Sequence, residues 1–168
     1  MAYRNKTYVC FDGDTDIHYY RLMQAWHQND RSPFSFYNAH DINSARDSSQ
    51  EASIKAQLRE RLKQSSVFVV LIGQNTRYLT KFVKWEMEQA LAMDLPIIGV
   101  NLNGLRAQDV DRCPPTIRGT LAIYVMFNPH IMQYALENWP QNHTTLKWQG
   151  KSGPFYYQPS VYQQLGIS

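Results

Sequence analysis

The sequence lacks the features that mark most nucleic-acid-binding and membrane proteins. Its 17 lysine and arginine residues are scattered and are offset by 14 acidic residues, which leaves a formal charge of +3. A nucleic-acid-binding domain normally carries a clustered basic face. No apolar run approaches the roughly 18 residues that a membrane-spanning helix needs, and the amino terminus has no apolar signal-peptide core. We therefore expect a cytoplasmic protein that binds neither nucleic acid nor a membrane.

Motifs for a resident metal or cofactor are missing as well. Cys10 and Cys113 lie far apart and belong to no CxxC or Cys/His ligand pattern, so we expect no metal site. Gly73 stands alone after an apolar run, whereas a P-loop or a dinucleotide-binding turn needs several glycines at fixed spacing. No serine lies in a GxSxG nucleophile motif. The chain therefore lacks the turn that holds a dinucleotide as a resident cofactor.

Short apolar runs alternate with helical patterns along the chain, which is typical of a parallel sheet flanked by helices. The strongest strand pattern is VFVVLI at residues 67–72, and so continuous an apolar run suits a central strand covered on both faces. Further strands are predicted at residues 6–12, 34–37, 96–100 and 123–126, and helices at residues 17–28, 50–64, 80–93 and 129–137. We predict a three-layer α/β fold with about five parallel strands.

The periodic patterns weaken towards the carboxyl terminus, and this change predicts the domain organisation. Residues 1–138 are interpreted as one domain. Residues 139–168 are rich in Gln, Tyr, Gly and Pro and show no clear periodicity. We expect this C-terminal extension to pack on the domain or to form an oligomer contact.

The loops that follow the strands are the expected place for a ligand, because open parallel sheets bind ligands beyond the carboxyl ends of their strands. The loop at residues 12–16 holds three aspartates. A receiver-type Mg²⁺ pocket would need a second acidic anchor after the central strand and a lysine after a later one, and the sequence has neither at those places. We expect Asp14 or Asp16 to cap the first helix instead.

Glu86 is the residue that helix geometry singles out. With about 100° of rotation per residue, Glu86 projects between Phe82 and Ala90 on the apolar side of its helix, whereas Lys84 and Glu88 project to the opposite side. An inward carboxylate is unfavourable by several kcal/mol unless it is paired or functional. Geometry alone leaves both explanations open: an ion pair with Arg77 or another basic side chain, or a functional carboxylate.

Three stretches of the chain resemble the bacterial TIR-like domain family: residues 67–73 (VFVVLIG), 81–91 (KFVKWEMEQAL) and 96–100 (PIIGV). The similarity extends to residues 11–20 and 38–43 and covers roughly residues 6–137. The chain is similar to the TIR component of the Thoeris antiphage defence system. This resemblance implies a three-layer, flavodoxin-like TIR fold.

The resemblance also implies an activity. Enzymatic TIR domains cleave the nicotinamide–ribose bond of NAD, as NAD glycohydrolases or ADP-ribosyl cyclases. The family's catalytic glutamate lies in a Glu-hydrophobic-x-x-Ala-Leu context, and residues 86–91 match it, so the resemblance assigns this role to Glu86. NAD would be a substrate, with no cofactor required. The product would act as a nucleotide messenger on a downstream effector, and TIR–TIR self-association is a further expectation.

Substrate-binding candidates follow from the same resemblance and from the loop positions. Aromatic side chains are expected to stack on nicotinamide or adenine, and basic side chains to contact the pyrophosphate. Trp85 could instead pack against a neighbouring helix or subunit. The candidates are Phe11, Asp12, Asp14, Asn38, Arg46, Arg77 and Trp85.

Two other functions remain open at this point. One is a non-catalytic TIR-like module that works by assembling with other TIR surfaces. The other is a different glycosyl-transfer enzyme on a similar sheet, such as a nucleoside deoxyribosyltransferase, which would also use a glutamate near the carboxyl end of the sheet.

Overall fold

A computed structural model describes residues 6–28, 36–37 and 51–168. The loop at residues 38–50, with the candidates Asn38 and Arg46, lies outside the described residues.

Six strands and six helices make up the described part of the chain. The strands are β1 (Thr7–Cys10), β2 (Phe36–Tyr37), β3 (Val67–Ile72), β4 (Ile97–Asn101), β5 (Ala122–Met126) and β6 (Pro154–Tyr156). The helices are α1 (Ile17–Gln28), α2 (Glu51–Lys63), α3 (Val83–Ala92), α4 (Pro115–Arg118), α5 (Pro129–Trp148) and α6 (Pro159–Gln164). A single 3₁₀ turn, Thr76–Tyr78, precedes α3. Within the described ranges, no helix has the length and apolar character that crossing a membrane requires.

The strands form one parallel sheet in the order β2-β1-β3-β4-β5-β6. All six residues of β3 are buried, as the continuous apolar run predicted for a strand covered on both faces. The predicted α/β fold of the flavodoxin-like TIR type, with helices on both sides of a parallel sheet, is confirmed.

Alternate side chains of each strand enter two separate apolar layers. In β1, for example, Val9 faces one layer and Tyr8 the other. The first layer, here called the α1 layer, packs α1, α5 and α6 against the sheet. The second, called the α3 layer, packs α2, α3 and α4 against the opposite face. The helix that carries Glu86 therefore lies across the sheet from α1.

The C-terminal part of the chain is more regular than its composition predicted. Helix α5 continues past residue 137 to Trp148, because Trp139 and His143 extend its buried face. Pro140 lies inside this helix, where it removes one backbone N–H donor. Strand β6 then pairs with β5 as a sixth strand. The predicted boundary at residue 138 thus falls inside a helix; the proposed division into domain and extension stays a prediction.

The connection from β5 to β6 differs in hand from the two connections before it. Helices α3 and α4 cross on one face of the sheet and α5 crosses on the other, although each connection moves the chain one strand in the same direction. Parallel connections are right-handed in roughly 98% of cases, so the reversed hand distinguishes β6 from the rest of the sheet. It is an added edge strand of only three residues.

We predict that Gly99→Ala destabilises the protein by about 1–3 kcal/mol through overpacking. Gly99 pairs with Tyr124 across β4 and β5, and a Cβ at position 99 would lie 2.6 Å from two carbons of the Tyr124 ring. Urea denaturation measures the change. Gly119→Ala is the matched control, because a Cβ there meets nothing within 4 Å. Equal stability of the two variants would contradict the packing argument.

Candidate active site

The strand order places a topological switch point at the carboxyl ends of β1 and β3. Strand β2 lies on one side of β1 and β3 on the other, so the chain leaving β1 enters the α1 layer and the chain leaving β3 enters the α3 layer. Ligands of open parallel sheets bind at such a switch point, because the two loops diverge and leave a gap between them.

The loop after β3 is held close to the loop after β1 by Gly73. The backbone N–H of Gly73 donates to Oγ1 of Thr76 over 2.8 Å, and this hydroxyl lies 3.3 Å from the carbonyl of Leu71. The carboxylate of Asp16 packs directly on the α-carbon side of Gly73, and an added Cβ would lie 2.8 Å from its Cγ. Only glycine fits at position 73 without displacing Asp16, so the two loops meet at this point.

Glu86 lies in the first turn of α3, and its side chain is only 1% exposed. Met87 and Ala90 on the same helix are also buried, whereas Lys84 and Glu88 are exposed. The inward orientation predicted from helix geometry is confirmed. A carboxylate in the first helical turn is stabilised by the amino-terminal end of the helix dipole, by about 0.3–1 kcal/mol at an exposed site and up to about 2 kcal/mol when partly buried.

Tyr8 of β1 provides a hydrogen bond to the buried carboxylate. Its hydroxyl donates to Oε2 of Glu86 over 2.7 Å. The Tyr8 ring is fully buried and stacks on Phe68 of β3, with centroids 5.5 Å apart and planes inclined by 13°. The donor is therefore held by the sheet itself. Hydrogen bonds to charged groups contribute about 1.5–3 kcal/mol, so this contact offsets part of the unfavourable burial of Glu86.

Arg77, the basic residue considered as a partner for Glu86, contacts a different group. Its guanidinium donates to the backbone carbonyl of Asp111 and lies 4.9 Å from the ring centroid of Tyr78. Arg77 therefore joins the loop after β3 to the loop after β4. Its predicted contact with a pyrophosphate remains a prediction.

Trp85 packs against a neighbouring helix, which is one of the two positions considered for it. The ammonium of Lys55 and the guanidinium of Arg59, both on α2, each lie 5.4 Å from its ring centroid. Such cation–π contacts contribute roughly 0.5–1 kcal/mol at exposed sites. The half-buried indole thus links α3 to α2, and its stacking on a substrate ring stays a prediction.

Phe11 follows β1 and lies in the α1 layer rather than beside Glu86. It is 7% exposed and stacks on Tyr20 of α1, with centroids 4.6 Å apart and planes inclined by 16°. The structure therefore brings Phe11 and Glu86 to the same switch region but into different layers.

Asp12 and Asp14 play different parts in the loop after β1. The Asp12 side chain is 4% exposed; its Oδ1 accepts from the backbone N–H of Asp14 over 3.0 Å, and its Oδ2 from the hydroxyl of Thr15 over 2.5 Å. This arrangement is an Asx-type turn, so the Asp12 carboxylate shapes the loop. The Asp14 side chain is exposed. Contacts of either residue with a substrate remain predictions.

Asp16 is a site residue that the list of binding candidates missed. It is 7% exposed, and its Oδ2 is buried and accepts no hydrogen bond from any residue that the structure describes. Burial raises the pKa of Asp16, and the negative charge of Asp12 raises it further, while His18 and Arg112 act in the opposite direction. A buried carboxyl group with a perturbed pKa is characteristic of functional sites.

The loop after β4 is held by its own side chains. Nδ2 of Asn101 donates to two backbone carbonyls, at 3.0 and 2.7 Å. Asp109 accepts from the side chain of Asn103 and from the backbone N–H groups of Asp111 and Arg112. Burial alone would raise the pKa of Asp109, but these hydrogen bonds outweigh it and lower the pKa. The loop after β4, in which the Asp111 carbonyl accepts the hydrogen bond from Arg77, is therefore stabilised by its own side-chain hydrogen bonds.

The arrangement places several buried carboxylates around the switch point, and among them Glu86 accepts its hydrogen bond from a tyrosine of the sheet. In the described ranges, no three His, Cys, Asp or Glu side chains come close enough together to hold a metal ion. Chemically, the Glu86 carboxylate is suited to stabilising positive charge that develops in a reaction, because electrostatic interactions are stronger where water is excluded.

Comparison with known protein families identifies the family to which the chain is similar. Residues 8–107 match the family model described as the TIR-like domain of the Thoeris protein ThsB. The matched region covers more than half of the 168 residues and includes Tyr8, Asp16, Gly73 and Glu86. No curated protein matches the chain.

We predict that Tyr8→Phe and Glu86→Gln are energetically coupled. Tyr8→Phe removes the hydroxyl that donates to Glu86, which should lower the free energy of unfolding by about 1–3 kcal/mol because a buried charged acceptor loses a donor. In a double-mutant cycle measured by urea denaturation, we expect a coupling energy of about 0.5–3 kcal/mol. Tyr156→Phe, on an exposed side chain, is the control. Additive effects of Tyr8→Phe and Glu86→Gln would refute the coupling.

We predict that Asp16→Asn stabilises the protein at pH 7. The folded-state pKa of Asp16 is raised above 3.8, so the stability that its protonated form contributes at low pH is lost as the pH rises through the folded-state pKa. Replacing the carboxylate by a neutral amide removes that loss. Denaturation curves should show an advantage for the variant that shrinks as the pH falls towards 3.8. A pH-independent difference, or the same profile for exposed Asp14→Asn, would count against this.

Proposed function

The chain belongs to the family of TIR-like domains of the Thoeris protein ThsB, and we propose that it cleaves NAD and so produces an ADP-ribose-derived signal. Thoeris is an antiphage defence system, so the chain is a TIR domain of antiphage defence. The reaction and its residues are our proposal. One observation carries it: the carboxylate of Glu86, which is 1% exposed, accepts a hydrogen bond from Tyr8 beside the switch point of the sheet.

The proposed reaction breaks the bond between C1′ of the ribose and N1 of the nicotinamide ring. The bonding electron pair moves to the pyridinium nitrogen, so nicotinamide leaves as a neutral molecule and needs no general acid. Positive charge develops on the ribosyl carbon, as in glycoside cleavage. Water then attacks C1′ and releases a proton, giving ADP-ribose; attack by a nucleophile of the adenine ring would give a cyclic product instead.

Glu86 is proposed to stabilise the oxocarbenium-like ribosyl centre. A carboxylate does this by its charge, by accepting a hydrogen bond from a ribose hydroxyl, or by transient covalent attachment. The apolar layer around Glu86, with Met87 and Ala90 on the same helix, excludes water and so strengthens the electrostatic interaction. Tyr8 acts as a positioning residue, because its hydroxyl donates to Oε2 and so fixes the orientation of the Glu86 carboxylate.

The acidic loop after β1 supports a particular orientation of NAD. Its nicotinamide ring is cationic and its pyrophosphate is anionic, so the two ends favour opposite electrostatic surroundings. Asp12 and Asp16 are buried carboxyl groups at the end of β1, whereas Arg77 joins the loops after β3 and β4. We propose that the nicotinamide end faces the aspartates and the pyrophosphate faces Arg77.

NAD is proposed to act as substrate, and no cofactor is required for the steps described. The product would act as a nucleotide messenger on a downstream effector protein, and TIR–TIR self-association would accompany activation. These partners follow from the family and form part of the proposal.

We expect Glu86→Gln to lower NAD cleavage by about 10²-fold or more, the effect of removing one preorganised electrostatic group from an active site. Glu88→Gln is the matched control, since it makes the same change on the same helix at an exposed position and should retain full activity. The measurement is release of free nicotinamide from NAD, with purified protein and with lysate of infected cells that express it.

The same pair of variants separates the enzyme from a protein-interaction module. If cleavage is the function, Glu86→Gln should abolish protection against phage while Glu88→Gln protects normally. Protection by Glu86→Gln, together with no nicotinamide release from the unmodified protein in infected-cell lysate, would favour the non-catalytic module.

A further inference from the structure

A cavity of about 710 Å³ opens at the amino ends of the strands, the end of the sheet opposite to the candidate active site. Ser66 precedes β3 and Pro96 precedes β4, so the cavity lies at the amino ends of these strands, between the end of α3 and the second half of α5. None of its lining residues takes part in the proposed reaction. They are Ser66, Asp94, Leu95, Pro96, Pro140, His143, Thr144, Lys147 and Trp148.

His143 is a buried polar side chain in the wall of this cavity. It is 6% exposed; its Nδ1 has no hydrogen-bond partner in the described part of the chain, and its Nε2 lies 3.4 Å from Oδ1 of Asp94. The ring is held by an edge-on contact with Trp139, with centroids 6.4 Å apart. A buried polar group without a hydrogen bond is unfavourable by about 1–3 kcal/mol. The imidazole is therefore held in place, with Nδ1 left without a protein partner among the described residues.

Asp94 and Lys147 form an ion pair at the same cavity. The Lys147 ammonium contacts Oδ1 of Asp94, and Nε2 of His143 lies 3.4 Å from the same oxygen. Among the described residues other than glycine, Asp94 is the one with a positive φ, 58°, a conformation that is uncommon outside glycine. The strained backbone thus directs this carboxylate towards α5. Because the two charges cancel, the cavity offers hydrogen-bond donors and acceptors without a strong preference for an anion.

The remaining wall is suited to a flat ring. Trp148 is 88% exposed and lines the cavity at the end of α5. Leu95, Pro96 and Pro140 provide rigid apolar surface. Pro140 lies inside α5 and lines this cavity, although proline inside a helix is unfavourable by about 3 kcal/mol relative to alanine. An exposed indole beside apolar walls is typical of a stacking platform.

We propose that this cavity is a second ligand site, which binds an uncharged, planar nitrogen heteroaromatic molecule of about nucleoside size. Its ring stacks on Trp148, and its N–H and ring-nitrogen or carbonyl groups pair with His143 and with the Asp94–Lys147 ion pair. Pockets for molecules of this size measure about 300–1,000 Å³. Stacking uses the exposed indole, and hydrogen bonding uses the buried imidazole, so one ligand class accounts for both unusual features.

Titration of the full chain with guanosine and with cytidine tests the proposal, with ribose as the non-aromatic control. Isothermal titration calorimetry gives the affinity, and the imidazole NMR signals of His143 report contact with the ligand. We expect saturable binding of at least one nucleoside, no binding of ribose, and a shift of the His143 signals. Trp148→Ala and His143→Phe should each weaken the affinity about tenfold or more.

Two further variants locate the binding. Tyr156→Ala removes an exposed aromatic side chain away from this cavity and should leave the affinity unchanged. Glu86→Gln should also leave it unchanged, which separates this site from the proposed NAD site. The proposal is overturned if neither nucleoside binds, if ribose binds equally well, or if Trp148→Ala and His143→Phe both retain the original affinity. Because Trp148 is at the surface, its loss tests the site even if His143→Phe fails to fold.

Discussion

The hydrogen bond from Tyr8 to Glu86 is the interaction on which the account of this protein depends. It joins the second residue of β1 to the first turn of α3 across an apolar layer, 78 residues apart in the chain. A carboxylate buried to 1% exposure would be strongly unfavourable without such a donor. In the proposed reaction the same burial would make its charge more effective, because no bulk water weakens it. Burial of the Glu86 carboxylate is unfavourable for folding but would strengthen its charge in the proposed reaction. The hydrogen bond from Tyr8 offsets part of the unfavourable burial.

A second constraint fixes the switch region beside that carboxylate. Strand order sends the chain from β1 and from β3 into different layers, and Gly73 allows the Asp16 carboxylate to pack against the end of β3. Asp16 retains a buried, unbonded oxygen within the described residues and a raised pKa. The switch region thus concentrates groups that are unfavourable for folding alone, which is the usual relation between stability and an active site.

The sequence predicted features that depend on local periodicity. The six-residue run of β3 and the inward side of α3 follow from side-chain spacing, so both the parallel sheet and the burial of Glu86 could be predicted. The partner of Glu86 could not, because Tyr8 reaches it only through tertiary packing; a tyrosine in a fully buried strand was the available signal, since its hydroxyl needs a partner. Strand β6 was missed because three residues are too few for a periodic pattern.

A crystal structure of the Glu86→Gln variant with NAD bound would show whether residue 86 lies against the ribosyl carbon of NAD. We predict that NAD lies at the carboxyl ends of β1 and β3, with C1′ of the nicotinamide ribose, or the adjoining 2′-hydroxyl, about 3–4 Å from the side chain of residue 86. NAD bound with its nicotinamide ribose out of contact with residue 86 would contradict the account.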